Sequence, residues 1–154
     1  MAEVVPGVRF TIAGDQGSLR PHLESLARTL GVSENVRFLG TVSRAQKQAL
    51  MSTCSVYVQP SRYEGFGLAI LEAMSCGAPV VASAAGAVPE VAGNAIRYVD
   101  GHAPEAIARA VLDVLGDEET RTTLSVAGRN RAVEHFTYER RRNDIDRILG
   151  DIGV

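Results

Sequence analysis

The chain has 154 residues, of which 45% are apolar and 22% charged, with a net charge of -2. That length suffices to bury one core without disulfide or metal staples, so a single domain over residues 1–154 is expected. The near-neutral balance argues against a nucleic-acid binder, and the apolar content argues against disorder.

Short β-branched runs alternate with stretches of helical periodicity, the signature of a parallel α/β sheet. The first run is VRFTIAG (Val8–Gly14). Leu19, Leu23, Leu26, Ala27 and Leu30 then repeat at helical spacing and stop at Gly31, a residue type favoured just past a helix C-terminus. VRFLG (Val36–Gly40) reads as the second strand, and Ser43 with Gln46 has the form of a capping box, predicting a helix from Arg44 to Thr53. SVYVQP (Ser55–Pro60), PVVAS (Pro79–Ser83) and AIRYV (Ala95–Val99) are the remaining strands. Pro104 opens a helix with Ile107, Val111, Val114 and Leu115 on one face, and Glu118–His135 and Thr137–Leu149 form two more. In the tail, Arg129, Arg131, Arg140, Arg141, Arg142 and Arg147 interleave with Glu134, Glu139, Asp144 and Asp146. Mixed signs at this spacing favour a solvated helix face over a phosphate or membrane patch.

Cys54 and Cys76 lack metal-ligand or disulfide-framework spacing and read as packed, reduced thiols. No charged-then-apolar leader opens the chain and no apolar run approaches the roughly 20 residues that span a bilayer, so the cytoplasm is the expected location. His22, His102 and His135 have no carboxylate or cysteine at ligand spacing and read as solvated or capping residues. Neither a nucleophile elbow, a metal cluster nor a P-loop occurs.

In open parallel sheets, ligands bind beyond the carboxyl ends of the strands, where loops enter helix N-termini. GDQGS (Gly14–Ser18) is such a loop, and on its spacing a plain tight turn is favoured over a phosphate-binding one. SRYEGFG (Ser61–Gly67) is more informative, because two glycines flank one aromatic directly before a helix. Without Cβ atoms in the way, the amides of Phe66, Gly67 and Leu68 can approach an anion and point N–H groups at it. Glu64 would be repelled by that anion and is better suited to accept hydrogen bonds from neutral hydroxyls. Glu72 is the only charged residue between Gly65 and Pro89. An unpaired buried carboxylate costs several kcal/mol, so this one needs water, a partner or a ligand. Side chains lean toward the helix N-terminus, which lets Glu72 reach hydroxyls near the mouth of the same loop. By spacing alone, a glutamate that snorkels to water or pairs with an arginine fits equally well. The third loop, AAGAVPE (Ala84–Glu90), places Pro89 and Glu90 at a helix start, and Glu90 reads as structural.

The segment PSRYEGFGLAILEAMSCGAPVVAS (Pro60–Ser83), with seven residues between its two glutamates and Gly-Phe-Gly among them, resembles the signature of retaining glycosyltransferases of family 4, also called group 1. The similarity extends through VRFTIAGDQGSLRPHLESLA, NVRFLGTVSR, VPEVAGNA and HFTYERR, nearly the whole chain. The resemblance implies the C-terminal, donor-binding half of a GT-B enzyme, a Rossmann-like parallel sheet with flanking helices. It implies that Glu72 bonds the ribose hydroxyls of a nucleotide sugar and that Glu64 lies against the transferred sugar as the catalytic group. The amides of Phe66, Gly67 and Leu68, with Gly65 beside them, would hold the sugar and diphosphate. Val42 and Arg44 would meet the base, and Gly14 would line the phosphate side. No cofactor or metal is expected beyond the donor itself, because amides and basic side chains neutralise the leaving diphosphate.

Family members begin this domain with a further strand–helix unit bearing an Arg and a Lys that grip the diphosphate, and an acceptor-binding domain precedes it. Here MAEVVPGVRF leads directly into what corresponds to the second strand. The expectations are that the isolated chain transfers little or no sugar and that its sheet lacks the central strand. The gap would close by direct pairing of Val8–Ala13 with Ser55–Gln59 or by a strand from another chain. The competing reading is a non-catalytic nucleotide-binding or assembly module derived from such an enzyme.

Overall fold

The computed structural model describes residues 5–15 and 17–151, so Gln16 of the expected glycine turn lies outside the described residues. The chain groups into two compact units, residues 1–49 and 50–154.

In the first unit, β1 (Phe10–Ala13) and β2 (Val36–Gly40) form a parallel pair joined by α1 (Arg20–Thr29). The register runs from Phe10 opposite Val36 to Ala13 opposite Gly40, with an irregularity between Ile12 and Ala13. Asn35 Nδ2 donates to the Val8 carbonyl at 2.8 Å, tying the turn before β2 to the segment that feeds β1. Gly31 ends α1 as expected: its φ is +67°, its N–H donates to the Arg28 carbonyl, and that of Val32 donates to Ala27. Leu19 falls in a short 3-10 turn, Gly17–Leu19, rather than in α1. The capping box is present: Ser43 N–H donates to Gln46 Oε1 at 2.8 Å, and Gln46 N–H donates to Ser43 Oγ at 3.2 Å. It opens α2 (Arg44–Thr53), which ends in the second unit.

The second unit contains β3 (Tyr57–Gln59), β4 (Val80–Ser83) and β5 (Arg97–Val99), parallel in the order β3-β4-β5. Every residue of the central β4 is buried, which explains its unbroken VVAS run. Helices α3 (Leu68–Ser75), α4 (Val88–Ala92), α5 (Pro104–Gly116), α6 (Glu118–His135) and α7 (Tyr138–Asp151) complete the unit. Its core joins Met51, Ile70, Met74, Val80, Ala82, Val88, Ile96 and Ala132. At the crossing of α3 and α6 the small Gly128 admits Met74, whose Cγ lies 3.4 Å from where a Cβ on that glycine would stand.

Two expectations are corrected. The direct ladder between Val8–Ala13 and Ser55–Gln59 is not made; β1 pairs with β2, and β3 pairs with β4. Arg131, assigned to a solvated face, is instead half-buried against a helix end, and Arg129 closes another while remaining exposed. Arg129 donates to the Ser75 carbonyl at 2.9 Å, and Arg131 donates to Val91 at 2.6 Å and Glu90 at 2.7 Å. These carbonyls have no acceptor role within a continuing helix, and the guanidinium planes supply the missing donors. The solvated reading holds further on, where Arg147 pairs with Asp144 at 3.1 Å and Arg142 with Asp146 at 3.8 Å, all four groups largely exposed.

Candidate functional site

Glu64 to Leu68 lie just past the C-terminal end of β3, where Gly67 caps α3 in the left-handed conformation, φ +88° and ψ +35°. Only glycine enters that region at low cost, and here it turns the loop into the helix. Gly67 is buried against the Glu64 Cγ, Ile70 and Val88, each within 3.8 Å of a virtual Cβ. No side chain caps α3, so its first turn presents backbone N–H groups beside the loop. The flanking side chains of Phe66 and Leu68 are 45% and 65% exposed. Phe66 is braced from behind by the edge of Phe136, ring centroids 6.1 Å apart, where the chain leaves α6.

Glu64 is half-buried and held twice. Its backbone carbonyl faces Gly86 and accepts from the Ala87 N–H at 3.3 Å, in the loop between β4 and α4. Its Oε2 accepts from Gln59 Nε2 at 2.6 Å, and Gln59 Oε1 accepts from the Tyr57 hydroxyl at 2.6 Å. Glu72, also half-buried, stands in the second turn of α3. Burial first, then the Glu72 carboxylate and then that of Glu64, push the Tyr57 phenol up to about 12. Tyr57 therefore lies within electrostatic reach of both glutamates, and the sequence reading had not singled it out.

The remaining candidates belong to the first unit. Gly14 follows β1 with φ +125°, and its N–H donates to the Gly40 carbonyl at 2.8 Å, so this amide is already engaged. Asp15 Oδ1 accepts from the Gly17 N–H at 2.8 Å. Val42 is half-buried and Arg44 exposed, both between the end of β2 and the first turn of α2. The structure thus brings Glu64, Gly65, Phe66, Gly67, Leu68 and Glu72 together at one strand end, and Gly14, Val42 and Arg44 at the ends of β1 and β2.

Tyr57, Gln59, Gly86 and Phe136 were missed. The alternate positions Tyr57 and Gln59 share a face of a strand, a signal available in SVYVQP but submerged in its apolar reading. Both cysteines are free and half-buried, and burial is the main cause raising the Cys54 thiol. Among the described residues no three of His, Cys, Asp and Glu converge on a metal-holding position, and no helix is long and apolar enough to cross a membrane.

Parallel strands with crossover helices, and a carboxylate-bearing glycine turn at a strand's carboxyl end, make a Rossmann-like α/β fold with its candidate site where such folds bind ligands. The chain belongs to the glycosyl transferases group 1, the family that matches residues 1–131. Among curated relatives, it is 36% identical over 132 residues to the D-inositol 3-phosphate glycosyltransferase of Salinispora arenicola, covering 84% of this chain and 29% of that one. Sucrose-phosphate synthase from Thermosynechococcus elongatus superposes with a TM-score of 0.86 at 27% identity, over 97% of this chain and 39% of that one. The Anabaena protein HepE in complex with UDP-glucose gives 0.85 at 25% identity, over 97% and 43%. The chain therefore spans well under half the length of these proteins.

Proposed function

We propose that residues 1–154 form the donor-binding domain, the C-terminal half, of a retaining glycosyltransferase that moves a sugar from a nucleotide sugar to an acceptor hydroxyl. The observation that carries this reading is the pair Glu64 and Glu72, both half-buried, on either side of the glycine start of α3 and both acting on Tyr57. An uncapped helix start suits a diphosphate, and carboxylates beside it suit hydroxyls, which together describe a nucleotide sugar. The UDP-glucose in the Anabaena relative supports the same ligand class. Glu72 accepts from the ribose hydroxyls and Glu64 faces the transferred sugar. The amides of Phe66, Gly67 and Leu68, reached past Gly65, hold the sugar and diphosphate. As the resemblance implies, Val42 and Arg44 are assigned to the base and Gly14 to the phosphate side.

Transfer needs an acceptor-binding portion, supplied by a longer chain or a partner; the much greater length of the relatives supports this. The 154-residue chain alone transfers little sugar. Calorimetric titration with UDP, GDP and ADP, repeated on Glu72→Ala, tests the reading. One nucleotide is expected to bind the wild type, and Glu72→Ala to weaken it at least about tenfold. Binding by none, or equal binding by the variant, would overturn it. Nucleotide binding without sugar transfer after adding the acceptor portion would mark a non-catalytic module instead.

A further inference from the structure

The hydrogen-bond chain from Tyr57 through Gln59 to Glu64 is a built arrangement on one strand face, and it has a direction. A phenol donates more readily than it accepts, and a carboxylate only accepts. The Gln59 amide between them has one orientation that satisfies both: carbonyl toward the Tyr57 hydroxyl, NH₂ toward Glu64. The reversed amide would set its carbonyl oxygen against a carboxylate oxygen. Tyr57 thus fixes Gln59, and Gln59 fixes Oε2 of Glu64, leaving Oε1 to turn toward a ligand. Because Gln59 ends β3 and Tyr57 packs against the core, the anchor is rigid.

The geometry points to Gln59, oriented by Tyr57, as a positioning residue that aims Glu64 at the sugar of the donor and so sets preference for a nucleotide sugar over the bare nucleotide. This deepens the donor-site reading and rests on it. Without Gln59 the carboxylate rotates freely about its last torsion, and the hydrogen bond to a sugar hydroxyl must meet the cost of ordering it. The bare nucleotide touches none of this and is bound as before.

The test measures dissociation constants by ligand-observed NMR for UDP and UDP-glucose, GDP and GDP-mannose, and ADP and ADP-glucose. Wild type, Gln59→Leu and the near-isosteric Tyr57→Phe are compared, with urea unfolding midpoints recorded alongside. For the pair that the wild type binds, the sugar's contribution is the ratio of the nucleotide constant to the nucleotide-sugar constant. Gln59→Leu is expected to lower that ratio about tenfold with the bare-nucleotide constant unchanged, and Tyr57→Phe, which also neighbours Glu72, to lower the ratio about threefold. A general loss of structure would weaken both ligands together and leave the ratio alone. An unchanged ratio in either folded variant overturns the role given to that residue; should Gln59→Leu not fold, Tyr57→Phe decides. If the wild type binds none of the six compounds, the donor-site reading itself falls, and the positioning role with it.

Discussion

A Cβ on Gly86 would stand 1.9 Å from the carbonyl oxygen of Glu64. The β4–α4 loop therefore packs backbone to backbone against the loop that carries the candidate catalytic carboxylate, and no side chain fits between them. Gly86 also has φ +53°. Gly86→Ala is expected to destabilise by about 3 kcal/mol or more, combining a clash with strain in the left-handed region. Gly77→Ala is the control: φ is +78°, but the nearest atom to a Cβ is Ser125 Oγ at 3.5 Å, so only about 1 kcal/mol is expected. Urea denaturation of the two variants checks the contrast; equal losses would show that the Gly86 approach is not close.

Arg131 and Gly93 form a second pair that acts as a unit. The guanidinium that closes α4 lies 2.8 Å, at Cζ, from where a Cβ on Gly93 would be. Arg131→Ala is expected to cost about 2 kcal/mol through two lost charge-assisted hydrogen bonds. Gly93→Ala should cost more in the wild type than in Arg131→Ala, because the second background removes the obstruction. A double-mutant cycle by chemical denaturation reads this, and strict additivity would contradict it.

The Tyr57 phenol gives the fold a dependence on alkaline pH. Its pKa is raised from 10.0 to about 12 by burial, then by Glu72 and Glu64. The folded state holds its proton more tightly than the unfolded state, so the stability linked to it is complete below pH 10 and drains away as pH rises toward 12. After allowance for partial solvent screening the amount is roughly 2 kcal/mol. Unfolding free energies across that range should fall more steeply for wild type than for Tyr57→Phe. Glu72→Gln should move the phenol back toward its ordinary value in a spectrophotometric titration.

Ser83 ends the fully buried β4 at 4% exposure, and among the described residues its hydroxyl has no hydrogen-bond partner. A buried donor without an acceptor costs free energy, so Ser83→Ala is expected to be neutral or to stabilise by up to about 1 kcal/mol. A loss of more than about 1 kcal/mol on urea unfolding would mean that the hydroxyl is bonded.

Local order was legible where it is written locally. Ser43 and Gln46 specify the start of α2 within four residues, Gly31 stops α1, and the expected helix Glu118–His135 is α6. The glycine turn before α3 was visible because its chemistry lies in consecutive residues. What escaped notice depends on partners distant in sequence. Arg131 looks like any surface arginine until α4 brings its last carbonyls alongside, and Gly86 looks like any loop glycine until Glu64 arrives. Strand partners posed the same difficulty: β1 and β3 each carry a run that suits several neighbours, and pairing is decided by the crossovers rather than by either run alone.

Phe136 braces Phe66, yet the whole of α6 lies between it and the loop it supports. During synthesis the glycine turn and both glutamates leave the ribosome long before that ring does. Until then the turn lacks this rear contact, so the final packing of the binding loop waits on a ring that emerges only after α6 has been made.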